Sequence, residues 1–280
     1  MANERRIQLK RPVSARSLLA RWILVGVLLG MASVGSIKAA KRETGFLNRR
    51  VTLNGETYRY QVYVPLEWNK GKKWPVILFL HGAGERGEDG LVQTEVGIGT
   101  AIRRHPDRFP CVVVMPQCRR GVWWADPQME AQALKALELS LKEFKGDVNR
   151  VYLTGLSMGG YGTWSMAARN PGSFAALVPI CGGVRPPRRV RSSEAASLAN
   201  NAADPYLDTA EKVGKTPVWI FHGGADRTVP VTESRKMNAA LKDTAGNVTY
   251  TEYPGVGHNS WDKAYREAKL LPWILAKRLR

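Results

Sequence analysis

A serine hydroxyl becomes a nucleophile at neutral pH only when a histidine can take its proton and a carboxylate can orient that histidine. One serine of this 280-residue chain stands in a setting suited to that role. The stretch Thr154-Gly155-Leu156-Ser157-Met158-Gly159-Gly160 places G-x-S-x-G at the end of a short apolar run and ahead of a helical pattern. A sharp strand-to-helix turn there strains the serine backbone and projects its Oγ, while Gly155 and Gly159 leave room for neighbouring chain. Taken alone, the pentapeptide reads equally well as a helix N-cap serine in a glycine-rich turn.

The chain holds four histidines, so the search for a base is short. His81 and His222 each follow an apolar run and precede a glycine, positions suited to bonding loop backbone. His105 sits in the polar stretch Arg103-Arg104-His105-Pro106-Asp107. His258 lies in the glycine-rich loop Pro254-Gly255-Val256-Gly257-His258, ahead of a C-terminal helical pattern, where the base of a Ser, acid, His order belongs. For the acid, Asp226 follows the run Val218-Trp219-Ile220-Phe221 in a loop. Asp204 and Asp208 come earlier, and Asp262 lies past the histidine. Only Asp226 combines a strand-end loop with that chain order. Acyl transfer also builds charge on a carbonyl oxygen, which two pre-aimed N–H groups must stabilise. Met158 supplies one at a helix N-terminus. The loop His81-Gly82-Ala83-Gly84-Glu85-Arg86-Gly87 supplies the other, from Ala83 or, one residue on, from Gly84.

These residues need a scaffold. Two extended runs, 46–53 and 56–64, are joined by Asn54-Gly55, a dipeptide that favours a tight hairpin. The runs 76–80, 111–115, 151–154, 176–180 and 218–221 are short and almost wholly apolar, as strands buried on both faces are. Helical spacing is clearest over 128–145, where Met129, Ala133, Leu134, Leu137, Leu141 and Phe144 recur at threes and fours before Gly146 as a stop signal. Further helices fit 158–170, 233–244 and the stretch from 262 onward. The expected fold is α/β, a mostly parallel doubly wound sheet with helices on both faces and an N-terminal antiparallel hairpin. In such sheets ligands bind at the carboxyl ends of the strands.

The set LFLHGAGERGED, GLSMGGYGTW, WIFHGGADRTVP and GVGHNSW, in that order over roughly residues 74–275, resembles the α/β-hydrolase superfamily. More narrowly, it is similar to a bacterial esterase and predicted-peptidase branch that includes feruloyl and acetyl-xylan esterase-like and polyhydroxyalkanoate-depolymerase-like proteins. The resemblance implies Ser157 as nucleophile, His258 as base, Asp226 as its orienting acid, and Ala83 with Met158 as oxyanion donors. One departure is the long stretch 185–215, with Pro186-Pro187 and four arginines, which reads as a lid or insertion. With the strand order of that fold, the strands ending before Cys118 and Cys181 lie three positions apart, roughly 14 Å at ~4.7 Å per strand. Cys111 starts its strand and points to the opposite end, so all three cysteines are expected as unpaired thiols.

Composition is that of a folded globular chain, 44% hydrophobic and 24% charged, which excludes a disordered or collagen-like protein. The excess of 42 Lys+Arg over 24 Asp+Glu gives a net charge of +18, which alone would suggest a polyanion partner. A third of that excess lies in residues 1–40. There a basic lead precedes the uncharged run 22–34 and then the small residues Ser36, Ala39 and Ala40. This is the order of a secretory signal peptide, with cleavage expected near 36–40 and export of a catalytic domain spanning 41–280. A membrane anchor formed by 22–37 is the alternative. The remaining basic clusters do not alternate with stacking aromatics, so no nucleic-acid partner is expected. No His/Cys/Asp spacing resembles a zinc site, and neither metal nor cofactor is expected. Trp123, Trp124 and Tyr161 are candidates to line an acyl or alcohol pocket, and Trp164 is expected in the core. The expected activity is hydrolysis of a small-molecule or polysaccharide-linked carboxylic ester through an acyl-enzyme. The alternatives are a small peptidase of the same fold and a catalytically silent binding protein.

Overall fold

The computed structural model describes residues 43–185, 187 and 202–279. The expected leader, and Arg188, Arg189 and Arg191 of the basic loop, lie outside the described residues. Strands β1 (Gly45–Leu53) and β2 (Glu56–Val64) pair antiparallel. Asn54 and Gly55 turn between them at φ of 52° and 81°, as a two-residue hairpin requires. Strands β3 (Trp74–Leu80), β4 (Val112–Pro116), β5 (Gly146–Leu156), β6 (Ala176–Ile180), β7 (Val218–Gly223) and β8 (Val248–Tyr253) complete an eight-stranded sheet in the order β1-β2-β4-β3-β5-β6-β7-β8. β2 meets β4 antiparallel, and every pairing from β4 to β8 is parallel.

Apolar residues fill both faces of the inner strands. In β3, Val76, Leu78 and Leu80 pack on one face while Ile77 and Phe79 pack on the other. The first face is covered by α2 (Pro127–Glu143), α3 (Met158–Arg169), α4 (Pro205–Val213) and α5 (Thr232–Asp243). The second face is covered by α1 (Ile98–Arg104), α6 (Trp261–Arg266) and α7 (Leu270–Leu275). This two-sided cover explains the continuous apolar runs.

The elements differ from the sequence reading at four places. Gly146 does not stop α2: the helix ends at Glu143, Lys145 takes the left-handed position at φ 56°, and Gly146 already pairs with Trp74 in β5. β8 was not among the apolar runs because it is an edge strand, nowhere fully buried, with Thr249, Thr251 and Glu252 set among Val248, Tyr250 and Tyr253. Within the 185–215 stretch, Asp204 caps α4 by accepting from the N–H groups of Tyr206 and Leu207 at 2.8 and 3.2 Å. Pro205 opens the helix and Gly214 closes it at φ 59°. The C-terminal pattern from 262 forms two short helices, interrupted near Glu267, in place of one.

Candidate active site

β5 lies inside the sheet and delivers Ser157 at its carboxyl end, one residue before α3. Ser157 has φ 51° and ψ −116°, a conformation that a non-glycine residue holds only when its surroundings impose it. Two glycines make the turn possible. A Cβ on Gly155 would run into the carbonyl of Gly159, and one on Gly159 into the carbonyl of Leu80. The turn is therefore pressed against β3 with no space for side chains. The Ser157 N–H donates to the Ile180 carbonyl at 2.9 Å, which locks it to β6 as well.

The loops after β7 and β8 bring the other two groups to this turn. His258 Nε2 lies 2.9 Å from Ser157 Oγ, and His258 Nδ1 lies 2.7 Å from Asp226 Oδ2. The imidazole is half-buried, with Trp261 edge-on at 5.4 Å between ring centroids. The Asp226 carboxylate is shielded from solvent. Its Oδ1 accepts from the N–H groups of Thr228 and Val229 at 2.8 and 2.9 Å, and its Oδ2 also faces His222 Nε2 at 3.2 Å. Burial alone would raise its pKa, but these hydrogen bonds prevail and hold the carboxyl well below the usual carboxylate range.

The rival residues are engaged elsewhere. Asp204 caps α4, Asp208 pairs with Lys212 at 2.7 Å, and Asp262 accepts from Asn259 at 3.1 Å. His105 is exposed at the start of a short helical turn. His81 is fully buried: its Nε2 accepts from the Cys118 N–H at 2.9 Å, so its Nδ1 carries the proton donated to the Gly82 carbonyl at 2.6 Å. Burial pushes its pKa down to about 4.

The loop after β3 runs alongside the serine. A Cβ on Gly82 would lie 3.7 Å from that of Ser157. Ala83 opens a short helical turn, Ala83–Glu85, and Met158 opens α3, so the N–H of each has no acceptor within its own turn. Arg86 holds this loop, donating to the Ala83 carbonyl at 3.0 Å and to the Val122 carbonyl at 3.3 Å.

The candidate pocket aromatics separate. Trp124 belongs to the core rather than to a pocket wall: it is fully buried, donates from Nε1 to the His81 carbonyl at 2.9 Å, and stands edge-on to the His81 ring. Its Nε1 must find a partner once buried, and His81 supplies one. Trp123 is half-buried and meets Tyr161 edge-on at 5.7 Å. Trp164 is a core side chain. Sequence reasoning missed Glu233, which accepts from the Val184 N–H at 3.1 Å and from the Tyr206 hydroxyl at 2.8 Å, joining the loop after β6 to α4. It also missed that His222 reaches Asp226. The spacing His222-Gly-Gly-Ala-Asp226 was the available signal.

All three cysteines are buried and unpaired. Cys181, Asp226 and His258 place ligand-type atoms within 4.8 Å of one another. Asp226 and His258 are already bonded to each other, however, and burial pushes the Cys181 thiol up to about 12, so this is a poor donor set for a metal. Among the described residues no helix is long and apolar enough to cross a membrane.

A mostly parallel eight-stranded sheet, covered on both faces, with a serine at the turn after an inner strand and a histidine and an aspartate in later loops, defines an α/β-hydrolase. Residues 128–277 match the prolyl oligopeptidase family, and the chain belongs to that family. It is similar to the crystal structure of a thermostable esterase, with 30% identity and a TM-score of 0.69, over 83% of this chain and 63% of that one. A Methylorubrum extorquens protein named for carboxymethylenebutenolidase activity is 30% identical over 46% of this chain and 42% of its own length. An uncharacterized secreted protein of Arthroderma benhamiae is 29% identical over 69% of this chain and 22% of its own length. The chain thus spans less than half the length of these two curated relatives.

Proposed function

We propose that this protein is a serine carboxylic-ester hydrolase. The observation that carries the reading is the continuous path Ser157 Oγ, His258 Nε2, His258 Nδ1, Asp226 Oδ2, with contacts of 2.9 and 2.7 Å. Asp226 accepts a hydrogen bond from His258 Nδ1–H, which keeps the ring proton on Nδ1 and leaves Nε2 with a lone pair toward the serine. His258 then takes the Ser157 proton as Oγ attacks the ester carbonyl, and the resulting imidazolium is stabilised by the buried carboxylate. The oxyanion forms beside the N–H groups of Met158 and Ala83, and the α3 dipole adds to their effect. His258 returns the proton to the leaving alcohol. A water activated by the same imidazole then releases the acid and regenerates Ser157.

Likeness to an esterase at 30% identity supports an ester over an amide as the substrate. Trp123 and Tyr161, an aromatic pair just beyond the nucleophile, are the proposed pocket wall. The chain is read as a leader over 1–40 and a catalytic domain over 41–280. The basic-then-apolar order of 1–40 and the likeness to a secreted protein favour export.

The test is Ser157→Ala against p-nitrophenyl acyl esters. Turnover is expected to fall to the uncatalysed background with the urea midpoint retained, and residual turnover within tenfold of wild type overturns the assignment. Cleavage of peptide p-nitroanilides without cleavage of esters would favour the peptidase reading that the family name carries.

A further inference from the structure

His222 is the last residue but one of β7 and has no contact with solvent. Its Nε2 lies 3.0 Å from the Val229 carbonyl and 3.2 Å from Asp226 Oδ2. Both partners can only accept, because the carboxyl of Asp226 is held ionised, so Nε2 carries the ring proton. Nδ1 is then an acceptor, and the Ser234 hydroxyl, buried in the first turn of α5, donates to it at 2.7 Å. The tautomer is thus fixed by the partners on both sides.

Asp226 Oδ2 consequently faces two imidazole N–H groups, His258 Nδ1–H from the open side and His222 Nε2–H from below. The Oδ1 atom is held by the Thr228 and Val229 N–H groups. His222 also bonds the carbonyl of Val229, the residue whose N–H holds Oδ1, so one ring fixes both the carboxylate and the peptide that caps it. Without it, the carboxyl plane would be set at Oδ1 alone and Oδ2 would be free to turn away from His258.

Resting on the triad assigned above, we propose that His222 is a positioning residue for ester hydrolysis: it orients Asp226 from behind, through a relay running Ser234, His222, Asp226, His258, Ser157. It touches no substrate. Its removal therefore lowers kcat and leaves KM in place.

Two measurements test this. On the intact wild-type protein, long-range 1H–15N correlation of labelled histidines is expected to show His222 as the Nε2–H tautomer. An Nδ1–H tautomer overturns the proposal whatever the variants do. The second measurement compares His222→Phe, which keeps a flat ring and removes the contacts to Asp226, Val229 and Ser234, with His222→Gln, whose amide can donate to Asp226. Turnover of p-nitrophenyl acetate is expressed per active site counted with a fluorophosphonate, so unfolded protein does not enter the rate. His222→Phe is expected to lose about 10- to 100-fold in kcat with KM within twofold, and His222→Gln to recover to within about threefold of wild type. Equal losses in both variants would show that donation to Asp226 is not what the site needs, and wild-type kcat in the Phe variant would mean that the ring only fills space; either result overturns the proposal. His258→Ala run alongside separates the two readings. If it keeps wild-type kcat, the triad fails; if it is inactive while both His222 variants match wild type, only this proposal fails.

Discussion

His258 Nε2 lies 2.9 Å from Ser157 Oγ although 101 residues separate them in the chain. The two are delivered by unlike parts of the fold. Ser157 hangs from β5, which is paired on both sides, and His258 follows β8, which is paired on one side only. Their contact records whether two halves of the sheet are in register.

The carboxylate behind that contact gives the first prediction. Asp226→Asn keeps the shape of the side chain but lets its amide face His258 Nδ1, so the ring can carry its proton on Nε2, pointing the wrong way at Ser157. A loss of about 10⁴-fold in kcat with little change in KM is expected. Steady-state kinetics at neutral pH measure it, and a loss under tenfold would remove Asp226 from the mechanism.

Ser157 holds φ 51°, and Ser157→Gly should release the strain stored there. The variant is expected to be inactive and yet more stable, by about 1 kcal/mol once the extra flexibility of glycine in the unfolded chain offsets part of the roughly 1–3 kcal/mol of strain. Urea unfolding of the two proteins side by side decides it. A lower midpoint in the glycine variant would show that the turn is not strained.

Acid should destabilise the fold in a particular window. His81 is buried and neutral, with its pKa down to about 4 from 6.5, so below pH 6.5 the unfolded chain takes up a proton that the folded one refuses. Stability is therefore intact above pH 6.5, falls as the pH drops, and levels off below about pH 4. At about 1.4 kcal/mol per unit the loss amounts to about 3 kcal/mol. Unfolding free energies at pH 7, 5 and 4 measure the slope, and His81→Asn should lack this part of it. Asp226 and Glu252, whose pKa values are lowered, begin to lose their contributions as the pH falls through the ordinary carboxylate range, so the interval from pH 7 to 5 is where the His81 effect is read apart from theirs.

Much of this arrangement could be read from residue types. The hairpin at Asn54-Gly55 and the buried strands were legible because sterics and two-sided burial leave direct marks on sequence. Ser157, Asp226 and His258 could be singled out because each sits in a loop that ends a strand. β8 was not legible as an apolar run, since this edge strand is only half-buried and carries polar residues on both faces, Thr249 and Thr251 on one and Glu252 on the other. Gly146 misled because Lys145, a residue with no preference for positive φ, took the turn in its place. Trp123 and Trp124 are neighbours in sequence, and nothing local tells which one faces the core. That is decided by the His81 carbonyl, 43 residues away, which needs a donor. His222 was legible only as a residue bonding loop backbone, because its side-chain partners Asp226 and Ser234 come from the loop and helix that follow it.

The place of β8 at the rim of the sheet has a further consequence for how the protein fails on heating. Edge strands open at a lower cost than inner ones, and their amides exchange with solvent first. An excursion that detaches β8 carries His258 away from a serine still held by β5 and β6. Activity should then vanish in a partial opening while most of the sheet keeps its protection, and the temperature at which catalysis stops should lie below the one at which the chain melts.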